Sequence, residues 1–244
     1  DQRLGEVIAD AGYVASGPLS VRALSGLHSG ALGGEEVGAD LVPHILSALD
    51  DKDVSLAQRA AEVLRCLSDQ AAIDAACRAW SEGRDARLDV IIAESGYVAA
   101  EPAAVRALSG LHSRALQGDE AGAELVPHLL AALDDAGLAQ RSAEVLRLLT
   151  DQAAVDAVCQ AWSEGRDERL GAIIAEAGYI AAGPPSVRVL SGLHSGRLAG
   201  DELGADCVPS VLDALDDGVA EIRQRAEDVL RSLGRTPAVD ALCA

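Results

Sequence analysis

Across 244 residues the chain carries 39 acidic against 20 basic side chains, a formal net charge of −19, with Lys52 its single lysine. Neutralising phosphates takes clustered Lys and Arg, so this balance argues against a nucleic-acid partner. A hydrophobic fraction of 49% with two Trp, three Tyr and neither Phe nor Met suits thin layers of closely packed helices, not a large aromatic core.

Taken in chain order, the elements repeat. Gly-Tyr occurs at Gly12-Tyr13, Gly96-Tyr97 and Gly178-Tyr179, and Ser-Gly-Leu-His-Ser starts at Ser25, Ser109 and Ser191. Gln-Arg-x-x-x-Val-Leu-Arg starts at Gln58, Gln140 and Gln224, and Ala-Trp-Ser-Glu-Gly-Arg-Asp at Ala79 and Ala161. These strings divide the chain into units 1–84, 85–166 and 167–244, the third shortened, with offsets of 84 and 82 residues. Such a period is the mark of a repeat architecture. Ile73, Ala76, Cys77 and Trp80 share a helical stripe, and Leu88, Ile91 and Ile92 form another that stops at Gly96. A helix opens near Pro102, where a fixed φ suits the first turn, and runs through Val105, Leu108 and Leu111. Two more carry Val126, Leu129, Leu130 and Leu133, then Leu138, Ser142, Val145, Leu146 and Leu149. Each has one apolar stripe that it cannot bury alone. The expectation is an all-α, right-handed α-α solenoid of three tandem units with about five helices each.

The residues that carry chemistry read mainly as structural. His28, His112 and His194 lie a full unit apart, too far to share a metal ion, and are expected to be half-buried and hydrogen-bonded; His44 and His128, replaced by Ser210, read as exposed. Cys77, Cys159 and Cys243 read as small buried hydrophobes. With Cys66 and Cys207 they make an odd set of five without metal-ligand spacing, which fits a reducing, cytoplasmic setting. The pairs Asp50-Asp51, Asp134-Asp135 and Asp216-Asp217 read as caps of the following helix. Trp80 and Trp162 read either as core packing at a layer junction or as aromatic anchors on a binding face. Arg22, Arg106 and Arg188 stand equally between a ligand contact and a local turn. No apolar run reaches the roughly 18 residues of a membrane span, and no signal-peptide pattern opens the chain. A start at Asp1 without Met reads as a stretch of a longer protein.

The segment from Leu125 to Leu149 resembles a HEAT repeat, with Pro127 early in its first helix, Asp135 at the turn and Arg141 on the second helix. Pro43, Asp51 and Arg59, and Pro209, Asp217 and Arg225, fall on the same positions, with two extra residues before the Arg. The pair holding Trp80 and Ile91-Ile92 looks like a degenerate second repeat, and the helix from Pro102 resembles the third helix of an armadillo repeat. The longer string around Trp-x-x-x-Arg-Asp and Gly-Tyr-Val-Ala is similar to helical repeats of bacterial multidomain proteins that join a NACHT-type NTPase or a caspase-like module to a repeat array. This resemblance implies a partner-sensing or scaffolding role. The chain has neither a GxxxxGK[ST] loop nor a Cys/His catalytic pattern.

The functional expectation is a non-enzymatic scaffold or sensing array that grips a protein or peptide, without cofactor, metal, membrane or nucleic acid. Its contacts are expected at Gln58, Glu62 and Arg65, at Gln140, Glu144 and Arg147, at Gln224, Asp228 and Arg231, and at Trp80 and Trp162. The alternative is a rigid architectural spacer. Differences at Gly30/Arg114/Gly196 and Gly33/Gln117/Ala199 mark one loop as a place for specificity, and apolar stripes at the two ends predict head-to-tail self-association.

Overall fold

A computed structural model describes Val7 and residues 12–83, 85–200 and 203–232. Among them are thirteen α-helices, four short 3₁₀ turns and no strand. The chain divides into two compact units, Asp1–Leu116 and Gln117–Ala244, whose boundary does not follow the sequence repeat.

The first unit contains α1 (Leu19–Ser29), α2 (Val42–Ala48), α3 (Val54–Arg65), α4 (Gln70–Gly83), α5 (Ala86–Ser95) and α6 (Ala103–His112). The second contains α7 (Val126–Ala132), α8 (Ala139–Arg147), α9 (Gln152–Gly165), α10 (Glu168–Ala177), α11 (Pro185–Ser195), α12 (Val208–Asp213) and α13 (Ala220–Ser232). The five helices read from Ile73 to Leu149 correspond to α4 through α8. Their ends follow local chemistry. Pro102 and Pro184 precede α6 and α11, while Gly96 and Gly178 close α5 and α10 in the left-handed region, at φ 69° and 72°. Asp53, Asp85, Asp151 and Asp167 each accept a first-turn amide at the start of α3, α5, α9 and α10.

Within each unit a helix packs on the next but one as well as on its neighbour: α2 on α4, α3 on α5 and α4 on α6 in the first, α8 on α10 and α9 on α11 in the second. The buried side chains are almost all Ala, Leu, Val and Ile, with Trp80 the largest fully buried one. The buried polar residues among those described are four serines, Ser25, Ser109, Ser142 and Ser191, and each is hydrogen-bonded. Ser109 Oγ accepts the Ala99 amide (3.0 Å) and donates to the Val105 carbonyl (2.7 Å). Ser191 takes the Ala181 amide (3.0 Å), and Ser25 the Ala15 amide (2.9 Å). The repeated serine therefore ties the preceding loop to its helix. The repeated tyrosine ties helices together: Tyr97 donates to the carbonyls of Leu64 (2.9 Å) and Leu67 (3.2 Å), and Tyr179 to those of Leu146 (2.8 Å) and Leu149 (3.3 Å). Burial raises the Tyr97 phenol and pushes that of Tyr179 up to about 12.

Two arginines act as clamps. Arg87 forks onto Asp85 (2.9 and 3.2 Å) and reaches the Leu49 carbonyl (2.6 Å) and Asp50 (2.7 Å) at the end of α2. Arg169 repeats this with Asp167 (2.8 and 3.2 Å), the Leu133 carbonyl (2.9 Å) and Asp134 (3.0 Å). Asp50-Asp51 and Asp134-Asp135 are therefore not helix caps, as read from the sequence, whereas Asp217 of the third pair accepts the Val219 amide (2.8 Å) just before α13 and the Arg166 guanidinium (2.7 Å). Their first member, in Asp50 and Asp134, meets an arginine of α5 or α10. The second folds a turn, Asp51 accepting the Asp53 amide (2.9 Å) and Asp135 the Gly137 amide (2.9 Å). Two of the arginines at the HEAT-type positions bond helix ends. Arg59 donates to the Leu27 and His28 carbonyls at the end of α1, and Arg225 to the Leu193 and His194 carbonyls at the end of α11.

The arginine forks hold the carboxyls of Asp85 and Asp167 down from 3.8 to about 2, with help from the Arg87 and Arg169 amides. A carboxylate whose folded pKa is depressed contributes stability that is complete above its unfolded value and lost as pH falls through the folded one. Thermal stability is therefore expected to fall as pH drops from 3.8 toward about 2. Both carboxylates are partly exposed, so the effect is modest. Melting curves of an Asp85→Asn, Asp167→Asn variant should start lower at neutral pH and fall less steeply in acid. An equally steep fall would assign the acid sensitivity to other carboxylates.

Candidate functional site

A groove of about 720 Å³ opens on the first unit between α3 and α5. Its floor is apolar: Ala57 and Ala61 of α3, Ala86 and Ile91 of α5, and Leu49 at the end of α2. Its lips carry Val54 (69% exposed) and Val90 (47% exposed), and polar residues rim it, among them Gln58, Glu62, Arg65 and Arg87. Helix periodicity explains this arrangement. Leu56, Ala60, Val63 and Leu64 turn into the core, which leaves residues 54, 58, 61, 62 and 65 on the outer side of α3. Arg65 is held across the groove by Glu94 on α5 (3.0 Å).

Of the contact residues expected from sequence, Gln58, Glu62 and Arg65 come together at this groove. Their copies occupy the same turns of α8 and α13 but bond along their own helix. Gln140 donates to Glu144 (3.2 Å), Gln224 to Asp228 (3.3 Å), and Arg231 to Asp228 (2.7 Å) and Glu227. Arg147 pairs with Glu176 of α10 (2.5 Å), as Arg65 does with Glu94. The valines are what sets the first unit apart. In the second unit the corresponding places hold Ala136 and Ala172, also exposed. A helix surface is made more readily with Ala than with Val, so the fold itself does not call for Val54 and Val90. Comparing the copies at these two positions is the signal that would have identified the groove from sequence.

The tryptophans do not belong to a contact surface. Trp80 and Trp162 are buried. Trp80 donates its indole N–H to Asp89 (3.0 Å) and stacks on the His112 ring at 4.8 Å. Trp162 lies 4.4 Å from the His194 ring, with the Arg166 guanidinium 4.8 Å from its own ring centre. His112 and His194 meet the Asp89 and Gly171 carbonyls, each at 2.9 Å, and half-buried His28 completes the set. His44 and His128 are half-buried, not exposed, because their helices α2 and α7 are covered on two sides. Arg22, Arg106 and Arg188 are also half-buried.

The loop read as a specificity ridge has a backbone reason for its glycines. Gly30, Arg114 and Gly196 all adopt left-handed φ, at 67°, 60° and 71°. Glycine is the low-strain choice there, and Arg114 costs on the order of 1 kcal/mol more in backbone strain. Cys77 and Cys159 are buried, with thiols that burial pushes up to about 11, and burial also raises Cys207. Cys66 is exposed. Cys243 lies outside the described residues. Among the described residues no group of three or more His, Cys, Asp or Glu side chains is placed to hold a metal ion, and no helix is long and apolar enough to cross a membrane. No family model, curated protein or solved structure matches this chain.

Proposed function

We propose that the chain is a non-enzymatic protein-binding scaffold, a right-handed α-α solenoid of three tandem repeats, with a peptide-sized groove between α3 of the first repeat and α5 of the second. The observation that supports this best is the pair of exposed valines, Val54 and Val90, flanking an apolar floor, where the corresponding positions one repeat later hold Ala136 and Ala172. Exposed apolar surface gathered in one concave place, with a polar rim, is a common form of partner site. The recurring residues support a repeat array in another way. Tyr97 and Tyr179, Ser109 and Ser191, Arg87 and Arg169 all make internal bonds, so what repeats serves the fold and what differs is free to serve a partner. The depressed reactivity of the buried thiols fits a role without nucleophilic chemistry.

The test is a pull-down from source cells with the native chain and with a Val54→Asp, Val90→Asp variant of unchanged melting temperature. The scaffold reading expects a protein recovered by the first and lost by the second. Recovery of nothing by either chain favours the spacer, and equal recovery by both moves the binding surface away from the groove.

A further inference from the structure

The groove between α3 and α5 differs from its copies in charge as well as in shape. Its two arginines are already matched, Arg65 by Glu94 (3.0 Å) and Arg87 by Asp85 (2.9 Å) and Asp50 (2.7 Å). Glu62 is not. It stands exposed on the lip, and among the described residues nothing bonds or pairs with it. The same position on the later helices is engaged: Glu144 accepts from Gln140 (3.2 Å) and Arg141 (3.1 Å), and Asp228 from Gln224 (3.3 Å) and Arg231 (2.7 Å). Glu62 stays free because both arginines of α3 turn elsewhere, Arg59 to the Leu27 and His28 carbonyls and Arg65 to Glu94. At the far end Asp51 lines the groove, with Lys52 and Asp53 next in the chain, so that end is negative too.

The groove follows α3 from Val54 to Arg65, roughly 16 Å or three helical turns. Ala57 and Ala61, one turn apart, keep its floor low enough for large apolar side chains to enter. Both walls are helices whose mid-segment backbone groups are bonded within the helix, so neither offers a free edge to a strand. An extended peptide laid on alanine and valine would leave its inward-facing amides and carbonyls unmet. A helix arrives with its backbone already satisfied and presents apolar side chains at i, i+3, i+4 and i+7.

We propose that the groove's occupant is a basic amphipathic helix of a partner protein, its apolar stripe seated between Val54 and Val90 and a lysine or arginine on its flank paired with Glu62. This assignment rests on the groove being the binding surface, as in the proposed function, and adds the class of partner it takes. Charge selects that partner in two ways. It draws a basic segment toward a chain of net charge −19, and it turns away an acidic helix, whose carboxylates would meet Glu62 and Asp51. The free carboxylate and the two valines are separate departures from the later copies, and they fall on the same surface.

Fluorescence anisotropy with three labelled helical peptides of about 18 residues, or five turns, tests it. One carries leucines at i, i+3, i+4 and i+7 with lysines around them. The second has glutamates for the lysines, and the third keeps the lysine composition with its leucines scattered round the helix. The native chain is expected to bind the first with a Kd below about 100 µM, and the other two at least about tenfold more weakly. Glu62→Gln should weaken the lysine peptide about three- to fivefold, the worth of an exposed ion pair. Val54→Ala with Val90→Ala, which copies the later repeat, should weaken it about tenfold. Glu62→Lys should weaken the lysine peptide further and strengthen the glutamate peptide, a reversal that general attraction to an acidic protein does not produce. All these side chains are exposed, and unchanged melting curves establish that the variants fold. A native chain that binds none of the peptides, or the glutamate peptide as well as the lysine one, would overturn the basic helix, while the groove itself stands or falls on the pull-down. Loss of binding in the alanine pair with no effect of either Glu62 variant would overturn the basic preference and leave the groove in place. Lysine-peptide binding that survives the alanine pair, or that the scattered peptide matches, would overturn the docking of a helix in the groove.

Discussion

Replacing Gly118 with Ala is expected to lower the stability of the second unit by about 3 kcal/mol, at the upper end for overpacking a tight site. A Cβ added there would lie 2.3 Å from the Leu148 carbonyl oxygen and 2.4 Å from its carbon. Both are backbone atoms at the end of α8, so no rotamer change relieves the overlap. The 3₁₀ turn Gly118–Glu120 would have to lift from α8, and with it the buried Ala121. The same clash awaits Gly34 in the first unit, where a Cβ would fall 2.2 Å from the Cys66 carbonyl oxygen. Gly165 is the control. Nothing lies within 4 Å of a Cβ there, and Ala at the last residue of α9 should be neutral or stabilise by up to about 1 kcal/mol. Thermal denaturation of Gly118→Ala and Gly165→Ala, followed by circular dichroism, should move in opposite directions. A Gly118→Ala protein that melts with the native one would mean that the turn and α8 are further apart than described.

Much of the helical framework was legible because it is written locally. Gly96 and Gly178 end helices for a conformational reason, Pro102 and Pro184 precede them for another, and the stripes of α4 to α8 follow the helical period. The motif Ser-Gly-Leu-His-Ser was visible as a repeat but not as a mechanism. Ser109 bonds a loop amide ten residues upstream, Gly110 admits Leu116, whose Cβ would sit 2.7 Å from an added one, and His112 lies under Trp80. Each partner sits on another element, so spacing alone does not reveal it.

The arginine clamps were missed for the same reason. Nothing in the sequence around Arg87 points to Leu49 and Asp50, which follow α2 and come within its reach only in the fold. Of the candidate site, Gln58, Glu62 and Arg65 were legible because residues off the apolar stripe of α3 must face outward. Val54 and Val90 were not, since an apolar residue in an apolar-rich helix gives no sign of exposure until its sister positions are seen to hold alanine. The tryptophans were the reverse case. Large aromatic side chains favour interfaces and cores alike, and only their surroundings separate the two.

Trp80→Ala is the substitution that turns this separation into a measurement. Removing a fully buried indole leaves a cavity among neighbours that relax only in part, which costs about 3–5 kcal/mol. It also removes the N–H donated to Asp89 and the ring stacked on His112. The melting temperature of the first unit should therefore fall sharply, and Trp162→Ala should do the same in the second, where the indole is equally enclosed. Trp80→Phe keeps most of the apolar volume and loses the hydrogen bond, so its loss should be smaller, on the order of 1–2 kcal/mol. An aromatic anchor on a binding face would behave otherwise: alanine there would leave the melting curve almost unmoved and remove partner binding alone. If Trp80→Ala melts within about 1 kcal/mol of the native chain, as surface substitutions do, the indole is not the centre of the first unit's packing, and the tie between α4, α5 and α6 through Asp89 and His112 contributes little to the fold.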